Sequence, residues 1–244
     1  MQHEEIKNKY NTNIQDKYSG QYEAGRWFSS PINEAGFYMN QTTIHRVVWP
    51  LLVGVKNVLE LGPGPGTWTR ELLKVIPEAT YDLVDISEKM IEQSKQSIFD
   101  KSKLRFFCLD FLDYKPDHKY DFFFSSRAVE YFADKEKFTQ KVSEALVAGG
   151  KAVIITKMPR YYLYRLTRRP IPPMHRLQIK PRALEALFQK NGFIVNRVTL
   201  ASCTVPLFKS AKLNSLAFKI FFYLPWTWAS AFLAESYCLS VEKL

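Results

Sequence analysis

The chain has 244 residues, of which 46% are apolar and 24% charged, and it carries a formal net charge of +10. This length and composition indicate one globular domain with a sizeable core, and they exclude a disordered, collagen-like or coiled-coil protein. The cysteines Cys108, Cys203 and Cys238 lie too far apart in sequence for a zinc motif or a disulfide framework. We therefore expect no metal site and a reducing, cytoplasmic location.

The N-terminal segment gives no signal for export. Residues 1–18 are polar and lack the apolar stretch of a signal peptide. Aromatic residues concentrate over residues 16–28, and ordinary core packing is one explanation for them. We expect residues 1–50 to form a helical cap ahead of the first strand.

Apolar runs bounded by turn residues alternate with helical stretches, which indicates a parallel α/β sheet. The predicted strands span residues 57–61, 81–85, 104–108, 121–125, 151–156, 193–200 and 236–241. The predicted helices span residues 68–75, 87–99, 135–146 and 182–190. We expect Gly149-Gly150 to end the third helix and Asn191-Gly192 to end the fourth.

The first predicted strand runs into a glycine-rich turn at residues 62–66, GPGPG. Glycines at alternate positions let the backbone turn tightly and approach a ligand closely, because no Cβ intervenes. The Lys-Ser/Thr ending of a P-loop is absent. Glu60, just before this turn, would repel a pyrophosphate but could accept a hydrogen bond from the amino group of a cationic ligand.

Acidic residues also follow the second and third predicted strands. Asp85 is placed to accept both hydroxyls of a ribose, and Ile86 could cover an adenine ring. Asp110 could accept from the adenine amino group while the Phe111 backbone N–H donates to the ring. Each acid alone could be a loop or helix-capping residue. Together with Glu60 they stand at three consecutive strand ends, which favours a nucleoside site.

These motifs resemble the class I S-adenosylmethionine-dependent methyltransferases, and within them the type 11 branch that includes quinone-biosynthesis enzymes. The resemblance covers about residues 56–198, through VLELGPGPGTWTREL, YDLVDISEKMIEQSK, LDFLDY and the segments that follow. It implies a Rossmann-like α/β fold: a seven-stranded sheet with the last strand antiparallel and helices on both faces. It also implies S-adenosylmethionine as the cofactor.

The resemblance assigns cofactor contacts residue by residue. The methionine part would be held by Glu60, Gly62, Gly64 and Gly66, with Ser125-Ser126-Arg127 as the floor beside the sulfonium. The nucleoside would be held by Asp85, Ile86, Met90, Asp110 and Phe111. A helix before the first strand closes over the cofactor in such enzymes, so Tyr18 or Tyr22 could touch its carboxylate.

We expect a single methyltransferase domain over residues 1–244, with a cofactor-binding core at 51–158 and lid insertions at 159–180 and 206–234. The insertions should decide substrate identity, through Tyr161, Arg165 and Trp226. Residues 151–219 hold 14 basic and 1 acidic side chains, whereas residues 1–150 hold 19 and 21. This asymmetry indicates an anionic partner surface, with a merely solvated face as the alternative.

The second insertion contains an aromatic-rich run, residues 215–233, whose only charge is Lys219. Pro225 divides this run, and a membrane span would separate the last strand from its sheet, so we reject a transmembrane helix. Its aromatic residues and the nearby basic residues instead predict an interfacial lid that docks on the inner, anionic face of the membrane. A buried pocket wall or a dimer contact is the alternative.

Methyl transfer from a sulfonium is an in-line displacement that positioning can accelerate without a metal or a catalytic triad. An oxygen nucleophile would still gain from a base. The candidates are His175, Tyr131, Glu130 and His45. His175 is preferred because it lies in the first insertion, although it could instead fix the start of the next helix. Tyr131 stands where related enzymes often have histidine.

Three functions are therefore considered. The leading hypothesis is a methyltransferase for a lipid-like or lipid-linked small molecule at the cytoplasmic face of the membrane. The alternative is a soluble O- or N-methyltransferase for a small molecule or sugar, with the insertion as a plain lid. An RNA methyltransferase ranks third, since residues 125–128, SSRA, replace the Asn/Asp-Pro-Pro-Tyr type of motif and nucleic acid is disfavoured as a partner.

Overall fold

The computed structural model describes residues 7–8, 10–12, 21–166, 168, 170–171, 176–206 and 208–244. Its strands are β1 Asn57–Leu61, β2 Thr80–Asp85, β3 Leu104–Cys108, β4 Tyr120–Ser126, β5 Leu146–Lys157, β6 Phe193–Cys203 and β7 Ala234–Lys243. They form one sheet of order β3-β2-β1-β4-β5-β7-β6. Neighbouring strands from β3 to β5 are parallel, and β7 is antiparallel to both β5 and β6. The predicted seven-stranded sheet with an antiparallel last strand is confirmed.

The described α-helices are α1 Tyr22–Trp27, α2 Pro31–Thr43, α3 Thr67–Leu73, α4 Glu88–Ser97, α5 Lys135–Ala145, α6 Tyr161–Leu166, α7 Pro181–Lys190, α8 Ala211–Phe221 and α9 Trp228–Leu233. Side-chain caps explain where several begin. Ser87 Oγ accepts from the Met90 N–H at the start of α4, and Asp134 does the same for Lys137 at the start of α5. A helix long and apolar enough to cross a bilayer is not found among these.

The four predicted helices lie within two residues of α3, α4, α5 and α7. The predicted stop at Asn191-Gly192 is confirmed, because Gly192 has a φ of 82° and its N–H donates to the Gln189 carbonyl at 3.1 Å. The predicted stop at Gly149-Gly150 is wrong. Both glycines lie inside β5, which begins at Leu146. Gly149 has a φ of 73°, and the pairing of β5 with β4 shifts register there, so this glycine serves an irregular strand instead.

Two apolar layers cover the sheet, one on each face. Phe122 and Phe124 of β4 point into one layer, and Phe123 between them points into the other, as the two-residue period of a strand requires. The first layer contains residues of α1, α2, α3 and α8, and the second contains residues of α5 and α7. The helices therefore lie on both faces, as predicted.

Asp82 anchors the second strand inside the fold. Its carboxylate accepts from Arg105 Nε and Nη2 at 2.6 and 2.7 Å, and from the hydroxyls of Tyr114 and Tyr120. The Asp82 side chain is only 2% exposed. Removing its charge leaves these donors without a buried anion, so Asp82→Asn should lower the free energy of unfolding by about 3 kcal/mol.

Urea denaturation measures this loss, and Asp117→Asn is the matched control. Asp117 also accepts from Arg105, at 2.8 Å, but its side chain is 66% exposed. Solvent screens such a pair, so the control should hardly change stability. Equal losses in the two variants would contradict the anchoring role of Asp82.

Candidate functional site

The carboxyl ends of the five parallel strands β1–β5 open into one cavity of about 870 Å³. This volume is ordinary for a small-molecule site. The cavity is lined by the last residues of β1, β2 and β5, which are Leu61, Asp85 and Lys157. Asp110 and Arg127, which follow β3 and β4, line it as well. Tyr10 and residues of α1 complete the wall from the N-terminal side. The position is the usual one for ligands of open α/β sheets, outside the carboxyl ends of the strands.

The glycine turn after β1 adopts backbone conformations that other residues disfavour. Gly62, Gly64 and Gly66 have φ values of 69°, 57° and 81°. A Cβ on Gly62 would lie 2.9 Å from Ala128 Cβ, so this glycine packs against the loop after β4. A Cβ on Gly66 would lie 3.1 Å from Ile98 Cδ1. Gly62 and Gly64 line the cavity. Gly66 does not line it and instead lies against the C-terminal end of α4.

Glu60 lies under this turn rather than in the cavity wall. Its side chain is buried, and Oε2 has no hydrogen-bond partner among the described residues. Burial, reinforced by the charge of Asp85, raises the pKa of Glu60 to about 8. A buried carboxyl with a free oxygen is costly unless a donor or cation reaches it. It therefore fits a ligand that brings an amino group to the turn.

Asp85 joins the end of β2 to the glycine turn. Its Oδ2 accepts from the Gly64 N–H at 3.2 Å, and its Oδ1 accepts from the Ser87 N–H at 2.9 Å. The side chain still lines the cavity, next to Ile86 and Met90. The structure thus brings these predicted residues together on one wall.

The wall continues after β3 with Asp110 and Phe111. Asp110 Oδ1 accepts from the Leu112 N–H at 2.9 Å, which fixes the turn there. Phe111 packs on Phe123 and Phe138 at centroid distances of 5.7 and 5.8 Å while one side of the residue lines the cavity. The sequence predicted both positions.

The end of β4 differs in detail from the prediction. Ser125 is fully buried and does not line the cavity, whereas its neighbour Ser126 does. Arg127 follows with a φ of 67° and donates from Nε to Glu130 Oε1 at 2.8 Å. The other Glu130 oxygen accepts from Thr156 at 2.7 Å. Burial opposes ionisation of Glu130, but the charge of Arg127 holds its pKa below the usual value. Glu130 is thus a paired anchor for Arg127.

Of the other predicted bases, Tyr131 alone lies in the described cavity wall. Its hydroxyl is 2.7 Å from the Tyr10 hydroxyl, and burial raises the pKa of Tyr131 to about 12. His45 Nε2 contacts Glu71 Oε2 at 2.9 Å, away from the cavity lining. His175 and Tyr18 lie outside the described residues.

The predicted substrate residues do not line the described cavity. The Tyr161 hydroxyl donates to the Arg176 carbonyl at 3.0 Å, and Trp226 packs on Tyr237 at 6.3 Å. Arg165 is exposed on α6. Their roles stay predictions.

The cavity wall also contains Tyr10, Arg26, Lys157 and Glu235, which the sequence analysis did not assign to the site. Lys157 could have been predicted, because it is the last residue of β5 and the carboxyl ends of parallel strands surround the ligand site. Tyr10, Arg26 and Glu235 reach the cavity only through tertiary packing.

The pKa of Asp85 predicts a pH dependence of stability. Burial raises the pKa of Asp85 to about 6 in the fold. Its contribution to stability is therefore fully present below the unfolded-state pKa of about 3.9 and is lost as the pH rises through about 6. Relative to Asp85→Asn, the free energy of unfolding of the wild type should fall by about 2 kcal/mol between pH 4.5 and 7.5. Denaturant unfolding across this range measures the difference, and a flat or rising difference would contradict the buried carboxyl.

Residues 58–150 match the family model of a methyltransferase domain. Over 100 residues the chain is 34% identical to malonyl-[acyl-carrier protein] O-methyltransferase 1 of Ilyobacter polytropus, covering 41% of this chain and 37% of the relative. Over 105 residues it is 30% identical to trans-aconitate 2-methyltransferase of an Enterobacter species, covering 43% and 40%. The match thus spans about two fifths of these curated relatives.

Solved structures show the same fold. Magnesium protoporphyrin IX methyltransferase of Synechocystis PCC 6803 superposes with a TM-score of 0.69 at 14% identity, covering 100% of both chains. The N-methyltransferase NodS of Bradyrhizobium japonicum WM9 gives 0.60 at 11%, covering 97% of both chains. The narrower resemblance to quinone-biosynthesis enzymes stays a prediction. Residues 58–150 thus match a methyltransferase domain, and the chain shares its fold with these solved methyltransferases.

Proposed function

We propose that the chain transfers a methyl group from S-adenosylmethionine to a small-molecule acceptor in the cavity. The observation that carries this proposal is the continuous wall formed by the glycine turn, Asp85 and Phe111, with the unpartnered Glu60 oxygen beneath it. The two curated relatives are named for malonyl-[acyl-carrier protein] and for trans-aconitate, which supports a small organic acid or acyl group as the acceptor.

The residues present fit the cofactor part by part. Glu60 and the turn at 62–66 would hold the methionine part, because Gly62 and Gly64 line the cavity and the Glu60 carboxyl with its unpartnered oxygen lies beneath them. Asp85 would accept from the ribose hydroxyls, Ile86 would cover the adenine face, and Asp110 with the Phe111 N–H would contact the adenine edge. S-adenosylmethionine supplies a methyl group on a sulfonium that is already activated for displacement. The protein's part is to position the acceptor and exclude water.

Tyr131 and Tyr10 suit this positioning role. Their hydroxyls are hydrogen-bonded to each other, and burial raises the pKa of both. Both side chains therefore stay neutral at pH 7, so they would orient an acceptor or a water molecule rather than remove its proton.

Calorimetric titration with S-adenosylhomocysteine tests the proposal, with NAD as a comparison ligand. We expect one site per chain for S-adenosylhomocysteine. NAD should not bind, because the buried Glu60 carboxyl lies beneath the turn that would face its pyrophosphate. Failure of S-adenosylhomocysteine to bind would refute the proposed function.

We also propose that α8 and α9 dock the enzyme on an anionic membrane surface, where a lipid-like or lipid-linked acceptor would enter. Phe218 and Phe222 on the inner side pack in the core, while Ile220, Tyr223 and Trp228 are at least half exposed. Lys209, Lys212 and Lys219 accompany them, and each basic residue near an anionic surface contributes about 1 kcal/mol. An apolar face flanked by lysines is complementary to an anionic bilayer.

Co-sedimentation with vesicles at low salt tests this docking. The protein should sediment with phosphatidylserine-containing vesicles more than with phosphatidylcholine alone, and Trp228→Ser should reduce sedimentation. Phe99→Ser is the control, because Phe99 is fully exposed elsewhere on the molecule. Absence of sedimentation with the anionic vesicles would refute docking and direct the search to soluble acceptors.

A further inference from the structure

The cavity has two ends of opposite charge. Asp85 and Asp110 line the end formed by β2 and β3, with Glu60 beneath. Arg127 and Lys157 line the end formed by β4 and β5, and Arg26 of α1 lies on the same cavity wall. Besides Asp85 and Asp110, the described lining contains one more carboxylate, that of Glu235 near the start of β7. Since the acidic end accounts for a nucleoside, the basic end is left for another ligand.

The cations of the basic end are only partly neutralised. Arg127 donates from Nε to Glu130, and its Nη nitrogens make no hydrogen bond with the described residues. Lys157 Nζ lies 3.9 Å from Glu235 Oε1, at the outer limit of an ion pair. The Arg26 guanidinium lies 4.4 Å above the Trp27 ring and contacts no carboxylate of the described chain.

Electrostatics at this end favours an added anion. The charge of Arg127, followed by burial, lowers the pKa of Lys157 to about 8. Like charges held together in a concave, partly buried wall create a positive potential that an anion would relieve.

The cofactor itself carries a carboxylate, for which Arg26 of α1 is a candidate partner in the cavity wall. Trp27, next to Arg26, packs on Trp68 at 5.6 Å, and Trp68 belongs to the helix that follows the glycine turn. Arg127 and Lys157 instead follow β4 and β5, on the far side of β1 from β2.

We infer that Arg127 and Lys157 hold a carboxylate of the acceptor, so that the substrate class is an acidic small molecule. The inference rests on the proposed function and deepens it. The Arg127 Nη nitrogens can bind a carboxylate in the plane of the guanidinium, and Lys157 adds a point charge beside it. Lys157 would then determine specificity, because Arg127 is also needed to neutralise the buried Glu130.

Calorimetry on protein saturated with S-adenosylhomocysteine tests the inference, with trans-aconitate and malonate as probes and malonamide as the uncharged comparison. The carboxylates should bind and malonamide should not. Lys157→Met should weaken carboxylate binding at least about ten-fold, as the loss of a charged hydrogen bond requires, and Lys157→Arg should largely retain it. Lys151→Met is the matched control, on the same strand but outside the cavity lining.

The affinity for S-adenosylhomocysteine, measured on the same variants, separates the two claims. An unchanged cofactor affinity in Lys157→Met supports an acceptor carboxylate, whereas a parallel ten-fold loss (about 1.4 kcal/mol) would assign Lys157 to the cofactor and overturn the inference. Equal binding of malonamide, no binding of either carboxylate by the wild type, or an unaffected Lys157→Met would also overturn it. The probes are titrated into ligand-free protein as well, so that a failure of the cofactor to bind is recorded separately.

Discussion

Asp85→Ala should weaken binding of S-adenosylhomocysteine at least about 100-fold, because two ribose hydroxyls would each lose a charged hydrogen bond of about 1.5–3 kcal/mol. The Gly64 N–H would lose its acceptor as well, which loosens the turn that faces the ligand. Calorimetric titration measures the loss. Circular dichroism should report the same secondary structure, since this carboxyl lies at a strand end.

Two further variants separate the causes of this loss. Asp85→Asn keeps an oxygen for the Gly64 N–H but removes the charge, so its affinity should lie between those of the wild type and Asp85→Ala. Asp113→Ala removes an exposed carboxylate close to the Asp110 turn and should bind normally. Unchanged affinity in Asp85→Ala would refute the placement of the ribose.

Gly62→Ala should lower the free energy of unfolding by about 3 kcal/mol and impair cofactor binding. A left-handed backbone costs a non-glycine residue about 1–2 kcal/mol, and overpacking adds about 1–3 kcal/mol. Both penalties apply at Gly62, where φ is 69° and the new Cβ would lie 2.9 Å from Ala128 Cβ. Denaturant unfolding measures the loss of stability, and titration measures the loss of affinity.

Gly54→Ala is the matched control for the backbone penalty. Gly54 has a φ of 79°, but nothing lies within 4 Å of a Cβ added there. It should therefore lose only about 1–2 kcal/mol of stability and keep its cofactor affinity. Equal destabilisation by the two substitutions would show that contact with the loop after β4 is unimportant.

The strand positions and the acidic end of the cavity could be predicted because their causes are local. The turn at 62–66 needs glycines for its backbone, Ser87 caps the helix that follows β2, and the alternation of Phe122 to Phe124 defines two faces. Asp85 and Asp110 reach the same cavity because carboxyl ends of parallel strands share one edge of the sheet.

The basic end could not be predicted in the same way, because it is assembled from distant parts of the chain. Arg26 comes from α1, Lys157 from the end of β5 and Glu235 from the start of an antiparallel strand. A local sequence pattern can also give a wrong prediction. Gly149-Gly150 reads as a helix stop, yet the helix ends at Ala145 and these glycines serve an irregular strand.

A crystal structure of the protein with S-adenosylhomocysteine tests the central claim most directly. We expect the ribose hydroxyls within hydrogen-bond distance of Asp85, the adenine face on Ile86 with its edge at Asp110 and the Phe111 N–H, and the amino group near Glu60. We also expect that the sulfur faces the end of the cavity lined by Arg127 and Lys157. A ligand bound elsewhere, or with its ribose away from Asp85, would contradict this claim.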